Sequence, residues 1–444
     1  MELRGKKILV IGLARTGLAC ARFLVERGAQ VAVSDLRPEA ELKEEMKSLA
    51  GLPVGFFFGV EKPDWLDAVD CVVPSPGVPA DNPLIRAANA RKIPVLGEIE
   101  LAARFFRAPV VAITGTNGKS TTTTLVGEMM KADGRRVFVG GNLGAPFIGA
   151  LSGEWNWGVL EISSFQLEWT EEFAPRVAVL LNVTEDHLDR YASFDDYRRT
   201  KERIFEAQTE ADFAVLNRED SRVWALRERV EARVSSFGFA EVAQGVFSEG
   251  ERIVWRGKDK EEFYPLARAK IRGVHNVENM MAAVAAGKLA GIAREPIQQI
   301  LETFPGLEHR LEFVRERNGV RYYNDSKGTN VGAVVKSLAG FSAPVILMAG
   351  GVDKGGDYGP LEEEIKRTVR RLVLFGAAKN VIAAALGHLT ETVIAENIAD
   401  AVRAAAHAAR PGDVVLLSPA CSSFDQFRNY DERGKIFKSL VRSL

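Results

Sequence analysis

The 444-residue sequence predicts a three-domain α/β protein. The reading is a Rossmann-like N-terminal domain over 1–97, a central phosphate-loop ATPase domain with a parallel sheet over 98–305, and a C-terminal Rossmann-like domain over 306–444. Three observations predict it. The length accommodates roughly three domains of ordinary size. Short apolar runs alternate with helical periodicity along the chain, as a parallel sheet with crossover helices requires. Two glycine-bearing turns, one over Gly12–Gly17 and one over Thr114–Lys119, each join an apolar run to a helix.

Composition narrows the class of partner. Hydrophobic residues at 46% and charged residues at 26% are globular values, and a formal charge of -1 supplies no net pull towards nucleic acid or an anionic membrane. Small-molecule partners are expected, with no nucleic acid and no membrane, and the chain is expected to act as a monomer. Cys20, Cys71 and Cys421 are far apart and lack metal-site spacing, which suggests a reducing compartment. The N-terminal segment has no signal-peptide core, and no run of about 18 apolar residues follows, so the reading is cytoplasmic.

In the first domain, Lys7–Gly17 reads as a buried strand turning into a helix, and Gln30–Asp35 as the next strand. Ala14 stands where a dinucleotide fingerprint wants its second glycine, while Asp35 lies about where a ribose-binding acid would be. Nucleotide binding suits this turn better than NAD does. Asp70–Gly77 is a further strand ending at Ser75-Pro76-Gly77, at the carboxyl edge where open α/β sheets bind ligands. The same stretch also suits a plain Pro-Gly turn. Ile93–Gly97 closes the domain, and a helix is expected over Glu98–Phe106.

The second domain is built around Val110–Met130, which reads as strand, phosphate loop and helix. Gly115 and Gly118 let backbone N–H groups approach an anion, and the helix that follows presents its positive dipole end. Lys119 can reach the outer phosphates while Ser120 or Thr121 takes a place on Mg²⁺. The loop is Thr-Gly-Thr-Asn-Gly-Lys-Ser-Thr rather than a strict Walker sequence, because Ile113 occupies the first glycine's place. Strands are expected near 136–139, 157–161 and 176–181. Glu161 and His187 follow two of them, at the edge that carries the phosphate loop, and are reasonable Mg²⁺ ligands. By itself, a His in Thr-Glu-Asp-His also suits a solvated loop.

A helix is expected over 194–208, with Tyr197, Lys201 and Ile204 on one face at i, i+4 and i+7. Lys201 is then either a snorkelling lysine or an amine held beside the metal site with its pKa lowered by burial. Residues 233–271 read as short edge strands, and 274–291 as an Ala-rich helix. Asn276 and Asn279 share one face of it and either bond a base edge or cap the helix. A short helix over 295–303 ends at Pro305-Gly306, the linker into the third domain. There, 320–325, 345–349, 372–375 and 414–417 read as strands of a second doubly wound unit, with polar loops at 326–330, 350–356 and 418–427.

These stretches together resemble the Mur ligases, the ATP-dependent amino-acid ligases of peptidoglycan precursor synthesis, over the whole chain from Gly12 to Gly434. The phosphate loop alone would also suit folylpolyglutamate synthetase. Asn324–Asn330, Ser418–Ser423 and Asp425–Phe427 look specifically like the D-glutamate-adding branch of the Mur family. The resemblance implies phosphorylation of the UDP-N-acetylmuramoyl-L-alanine carboxylate by ATP, attack of the D-glutamate amine on the acyl phosphate, and collapse to amide, ADP and phosphate. Such chemistry needs charge neutralisation and in-line positioning more than covalent help.

Residue by residue, the resemblance implies that Gly115, Thr116, Asn117, Gly118, Lys119, Ser120, Thr121, Asn276, Asn279, Arg310 and Asp325 contact ATP. It implies two Mg²⁺ sites, with Ser120 and Glu161 at one and His187 and Lys201 at the other, Lys201 as a CO₂-derived carbamate. Lys119, His187 and Lys201 are the catalytic candidates. UDP-sugar contacts are implied for Ala14, Arg15, Thr16, Asp35, Arg37, Ser75, Pro76, Gly77, Asn142 and Ser163, and D-glutamate contacts for Lys327, Thr329, Lys354, Ser423 and Tyr430. Lysines and hydroxyls are what two carboxylates ask for. Two departures stand out. Leu36 occupies a place where relatives often present a hydroxyl to uracil, which leaves the uracil contacts open, and Tyr430 replaces a common Phe. Rival readings are another amide ligase, such as folylpolyglutamate synthetase, or a nucleotide-binding regulator or dehydrogenase using the Gly12–Gly17 turn.

Overall fold

Three sheets, each with one strand crossed over to become a neighbour of two others, position every loop discussed below. The computed structural model describes residues 1–444, the Pro63 side chain excepted. The first sheet holds β1 (Lys7–Ile11), β2 (Gln30–Asp35), β3 (Val54–Phe58) and β4 (Cys71–Pro74) in the order β3-β2-β1-β4, all parallel. Because β1 lies between β2 and β4, the chain leaves it at the point where strand order reverses, and a crevice opens at the carboxyl edge there. The loops after β1, β2 and β4 carry Gly12–Thr16, Asp35–Arg37 and Ser75–Gly77. At the end of this domain Val95 makes one isolated parallel bridge to Val72.

The central sheet holds β5 (Val110–Thr114), β6 (Val137–Gly141), β7 (Trp157–Glu161), β8 (Val177–Leu180), β9 (Phe213–Asn217), β10 (Arg233–Gly238), β11 (Gly245–Glu249), β12 (Arg252–Arg256) and β13 (Glu261–Pro265). Their order is β13-β12-β11-β10-β9-β8-β5-β7-β6. All five residues of β5 are buried, since both neighbours and both faces are covered. Alternate residues feed different cores: Val110 and Ala112 meet Phe147, Leu160 and Ile204, whereas Val111 and Ile113 meet Leu125, Met129 and the 274–289 helix. Each fully buried aliphatic side chain of this kind contributes about 1.5–3 kcal/mol. β5 is again the switch strand, so the loops after β7 and β8 flank the phosphate loop on either side.

Two helices differ in length from expectation. The helix at 98–106 stops at Ala103, and the 194–208 stretch is an α-helix over Phe194–Glu202 followed by one 3-10 turn at Arg203–Phe205. The first of these, where the chain enters the central domain, is anchored within that domain through buried carboxylates. Glu98 Oε1 accepts from Ile148 N at 2.6 Å. Glu100 accepts from the backbone N–H groups of Glu171, Glu172 and Phe173 at 2.8, 3.1 and 3.1 Å and from Arg104 Nε at 2.9 Å.

The third sheet holds β14 (Glu312–Arg317), β15 (Val320–Asn324), β16 (Val345–Gly350), β17 (Val369–Phe375), β18 (Glu391–Ile394) and β19 (Val414–Leu417) in the order β14-β15-β19-β16-β17-β18. Only the β14–β15 hairpin is antiparallel, so the loops after β15, β16 and β19 emerge at one edge. That edge faces the phosphate loop. No helix among the described residues is long and apolar enough to cross a membrane.

Candidate active site

The phosphate loop is held from behind by the segment after β8. Thr116 N donates to Asn182 O at 2.9 Å, Asn117 N donates to Asn182 Oδ1 at 2.9 Å, and Asn182 Nδ2 donates back to Asn117 O at 3.1 Å. Gly115 and Gly118 have φ of 148° and 88°, and a Cβ at Gly118 would lie 2.2 Å from Asn279 Oδ1. Only glycine lets the loop pass this close. The helix Lys119–Ala132 begins at Gly118, so its unpaired N–H groups and dipole face the loop's mouth. Lys119 Nζ donates to Gly115 O at 2.7 Å and Thr116 O at 2.8 Å. Burial lowers its pKa, with the Glu161 carboxylate pulling the other way.

Glu161 ends β7 and lies 2% exposed. Its Oε1 accepts from Asn142 Nδ2 at 2.5 Å, whereas Oε2 is buried with no hydrogen-bond partner. Burial opposes its ionisation, but Lys119, Ser120, Asn142 and Arg310 outweigh burial and hold the carboxyl below its ordinary value. A charged carboxylate with one free oxygen next to the buried Ser120 hydroxyl fits a hard divalent cation. His187, with φ 56°, stands after β8 on the opposite side of the loop. Burial pushes its pKa to about 4 against the pull of Asp186, so its imidazole is neutral and free to ligate.

Lys201 is 2% exposed, with Nζ donating to Gly115 O at 3.0 Å and lying 4.7 Å from the Tyr197 ring centre. Burial and then the Lys119 charge drive its pKa well below the ordinary value. Of the two readings left open by sequence, the snorkelling lysine is excluded: the head is inside. Ser193 caps this helix by accepting from Asp196 N at 3.1 Å, and Asp195 and Asp196 in the first turn suit its dipole.

The third domain closes on this loop. Arg310 Nη2 donates to Ser120 Oγ at 3.0 Å, Asn330 Nδ2 to Asp186 Oδ2 at 3.0 Å, and Lys354 Nζ to Asp186 Oδ1 at 3.2 Å. Asn117, Gly118, Thr121, Asn276, Asn279, Arg310 and Asp325 line one cavity together with Lys327, and Gly115, Thr116, Lys119 and Ser120 belong to the adjoining loop. Asp325 accepts from Ser418 Oγ at 2.6 Å and Ser337 Oγ at 2.8 Å, and burial pushes its pKa to about 6. Lys327 Nζ lies 3.6 Å from the Tyr430 ring centre, and burial pushes the amine down to about 7.

A second cavity of about 490 Å³ is lined by Ala14, Arg15, Thr16, Asp35, Ser75, Pro76, Gly77 and Asn142. Arg37 and Ser163 lie outside its lining and touch residues within it: Arg37 Nη2 pairs with Asp35 at 2.8 Å, and Ser163 forms a reciprocal cap with Gln166. Of the five residues expected to meet the amino acid, Thr329 and Lys354 line a third cavity with Asp186 and Tyr358, whereas Lys327 faces the first. Ser423 is buried after β19, and Tyr430 begins the C-terminal helix beside Lys327.

Sequence reasoning assigned no role to Asn182, Asp186, Asn330 or Arg433. Arg433 is fully buried and donates to Ser326 O at 2.8 Å and Ser326 Oγ at 3.0 Å, fixing the loop that carries Lys327. Asn182 and Asp186 stand in the loop after β8, the one signal that could have marked them. Among the described residues, one cluster of three metal-type side chains occurs, Glu308, His309 and Asp431. Its acids are engaged by Lys438 and by Lys435 at 2.8 Å, which makes it an ion-pair network at the domain linker.

Three family profiles match this chain in order: "Mur ligase MurD-like, N-terminal domain" over 6–97, "Mur ligase middle domain" over 113–287 and "Mur ligase, glutamate ligase domain" over 309–421. The UDP-N-acetylmuramoylalanine--D-glutamate ligase of Geotalea uraniireducens is 53% identical over 447 residues, covering 100% of this chain and 99% of that protein. The ligase of the same name from Syntrophus aciditrophicus is 44% identical over 451 residues, with 100% and 99% covered. Among solved structures, the UDP-N-acetylmuramate-alanine ligase MurC of Thermotoga maritima superposes with a TM-score of 0.62 at 21% identity, covering 98% of this chain and 99% of that one. MurF ligase of Thermotoga maritima, solved with ADP, gives 0.61 at 17% identity, covering 100% and 97%. These two share the fold.

Proposed function

The chain belongs to the Mur ligase family, and from that membership we propose that it joins D-glutamate to UDP-N-acetylmuramoyl-L-alanine at the expense of ATP, through an acyl phosphate. The relatives that carry this name span the whole chain, and the family uses ATP and Mg²⁺. The observation that carries the reading at the level of the site is the Asn142–Glu161 hydrogen bond. It joins the cavity of the N-terminal domain to the phosphate loop, so a substrate lying in that cavity reaches ATP.

The three domains divide the work: 1–97 holds the UDP-sugar, 98–305 holds ATP, and 306–444 brings the amino acid. Gly115–Thr121 and Lys119 cradle the outer phosphates, while Asn276, Asn279 and Asp325 hold the nucleoside. Arg310, arriving from the third domain, adds positive charge only on closure, which limits hydrolysis of ATP without substrate. Ser120 and Glu161 would hold Mg²⁺ at one site and His187 and Lys201 at a second, where the ion would supply charge neutralisation for phosphoryl transfer. The buried Lys201 amine, whose charged form burial disfavours, suits reaction with CO₂, which forms a carbamate, releases one proton and converts the side chain to an anionic oxygen donor.

The substrate carboxylate attacks the γ-phosphorus in line and ADP departs. Lys327, Thr329, Lys354, Ser423 and Tyr430 then orient the two carboxylates of D-glutamate so that its amine, having released a proton to solvent, attacks the acyl carbonyl. Phosphate leaves from the tetrahedral intermediate. The Asn330 and Lys354 contacts to Asp186 keep the third domain against the loop and water out. Transfer of ¹⁸O from the labelled substrate carboxylate to phosphate tests the acyl phosphate: label in the released phosphate is expected, and unlabelled phosphate would rule out the intermediate.

A further inference from the structure

The second cavity is lined from two domains. Asn142 and Gln166 come from the central domain, with Asn142 bonded to Glu161; Leu36, Glu61 and Asn82 come from the N-terminal domain. If the reacting carboxylate of a UDP-sugar lies by Glu161 and the diphosphate over the turn after β1, the base, the part of the substrate farthest from the reaction, falls to the N-terminal-domain side of the lining. Resting on the function proposed above, we propose that Glu61, oriented by Asn82, is the residue that reads the base, accepting the N3–H of uracil.

Elimination and orientation both support this. Asp35, the other acid in the cavity, has its oxygens engaged by Leu13 N at 2.8 Å, by Arg37 N at 2.9 Å and by the Arg37 side chain. Glu61 receives one hydrogen bond, from Asn82 Nδ2 to Oε2 at 2.8 Å, and no described residue donates to its Oε1. Asn82 is 5% exposed, and its Oδ1 is committed to the helix Pro83–Ala90 through Leu84 N at 2.9 Å. Its amide face therefore points at Glu61 and fixes the carboxylate plane. Burial raises the Glu61 pKa, Asn82 offsets this and Asp35 adds to it, leaving a more basic acceptor than a solvated carboxylate.

The walls suit a flat ring. Leu36 is 63% exposed, an apolar side chain left open to the cavity, with Val78 and Pro79 also in the lining. Leu36 offers no hydrogen bond, so base recognition falls to Glu61. Uracil presents a donor at N3, whereas cytosine presents a lone pair there, which a carboxylate repels. A site built to bond one hydrogen rejects the analogue that lacks it more strongly than an apolar pocket does.

Titration calorimetry of UDP and of CDP with the full chain tests the assignment in wild type, Glu61→Ala and Glu61→Gln. Wild type is expected to prefer UDP by about tenfold or more. Glu61→Ala should lose roughly tenfold in UDP affinity while CDP changes less than about twofold. Glu61→Gln, whose amide oxygen still accepts, should keep part of the preference. An unchanged UDP-to-CDP ratio in Glu61→Ala, or equal loss of both nucleotides, would overturn the assignment while leaving the ligase reading intact. A wild-type chain that binds neither nucleotide would overturn both.

Discussion

Arg310 Nη2 donates to Ser120 Oγ at 3.0 Å across 190 residues of sequence, bringing a guanidinium of the third domain to the first turn of the phosphate-loop helix. Removing this contact should slow phosphoryl transfer more than it weakens ATP binding. Arg310→Ala is expected to lower kcat by about 10²-fold, and Arg310→Lys to recover little of it, since a point charge does not reproduce the fork. Steady-state kinetics with ATP varied checks this.

Lys119 is the one lysine of the phosphate loop, and in the proposed mechanism its ammonium reaches the outer phosphates. Lys119→Ala is expected to lower acyl-phosphate formation by about 10³-fold or more with the fold retained. Wild-type ADP release from that variant would overturn the role.

Lys327 predicts proton uptake. Burial holds its amine at about 7 against an ordinary value of 10.5, so near pH 8 the ligand-free enzyme carries it mostly neutral. Besides facing the amino acid, Lys327 lines the cavity proposed for ATP, whose phosphates would raise that pKa, and binding should take up close to one proton, about the most a single group can supply. Calorimetry in buffers of different ionisation enthalpy reads the uptake, which Lys327→Met should abolish. The same shift sets a sign for stability. The unfolded chain binds this proton up to about 10.5 and the folded chain releases it above about 7, so the penalty of burying the amine is full below pH 7 and fades as pH rises. Lys327→Met should therefore raise the melting temperature at pH 6.5 and leave it unchanged near pH 10.5.

Glu100 is a structural acid. It is 0% exposed and accepts three backbone N–H groups from the 171–173 turn as well as Arg104. Glu100→Ala leaves those donors buried and unpaired and should cost about 3 kcal/mol. Denaturant unfolding of the ligand-free chain measures it, and UDP affinity should stay unchanged where the chain is folded.

Much of this site was legible in sequence because its parts are local. The glycines of the phosphate loop sit within one strand–turn–helix unit, and the i, i+4, i+7 spacing of Tyr197, Lys201 and Ile204 placed Lys201 inside, as its burial bears out. Glu161 and His187 follow strands that border β5, and position after a strand is readable from a short window. What escaped depends on contacts between distant segments. Asp186 matters because Asn330 and Lys354, 144 and 168 residues away, bond to it across the domain boundary. Arg433 lies on a helix with no outward sign that its guanidinium is swallowed by the third domain. β14 and β18 went unread, although 320–325 was read as a strand, because neither buries a residue and both lie at a sheet edge, where the apolar signal is weak.

The most direct test of the account is ADP release with UDP-N-acetylmuramoyl-L-alanine and each candidate amino acid, with the product weighed by mass spectrometry. The account predicts ATP turnover that needs both the UDP-muramoyl substrate and D-glutamate, and a product heavier than the substrate by one glutamate residue. Turnover driven instead by a folate, or by another amino acid with D-glutamate inert, would contradict it.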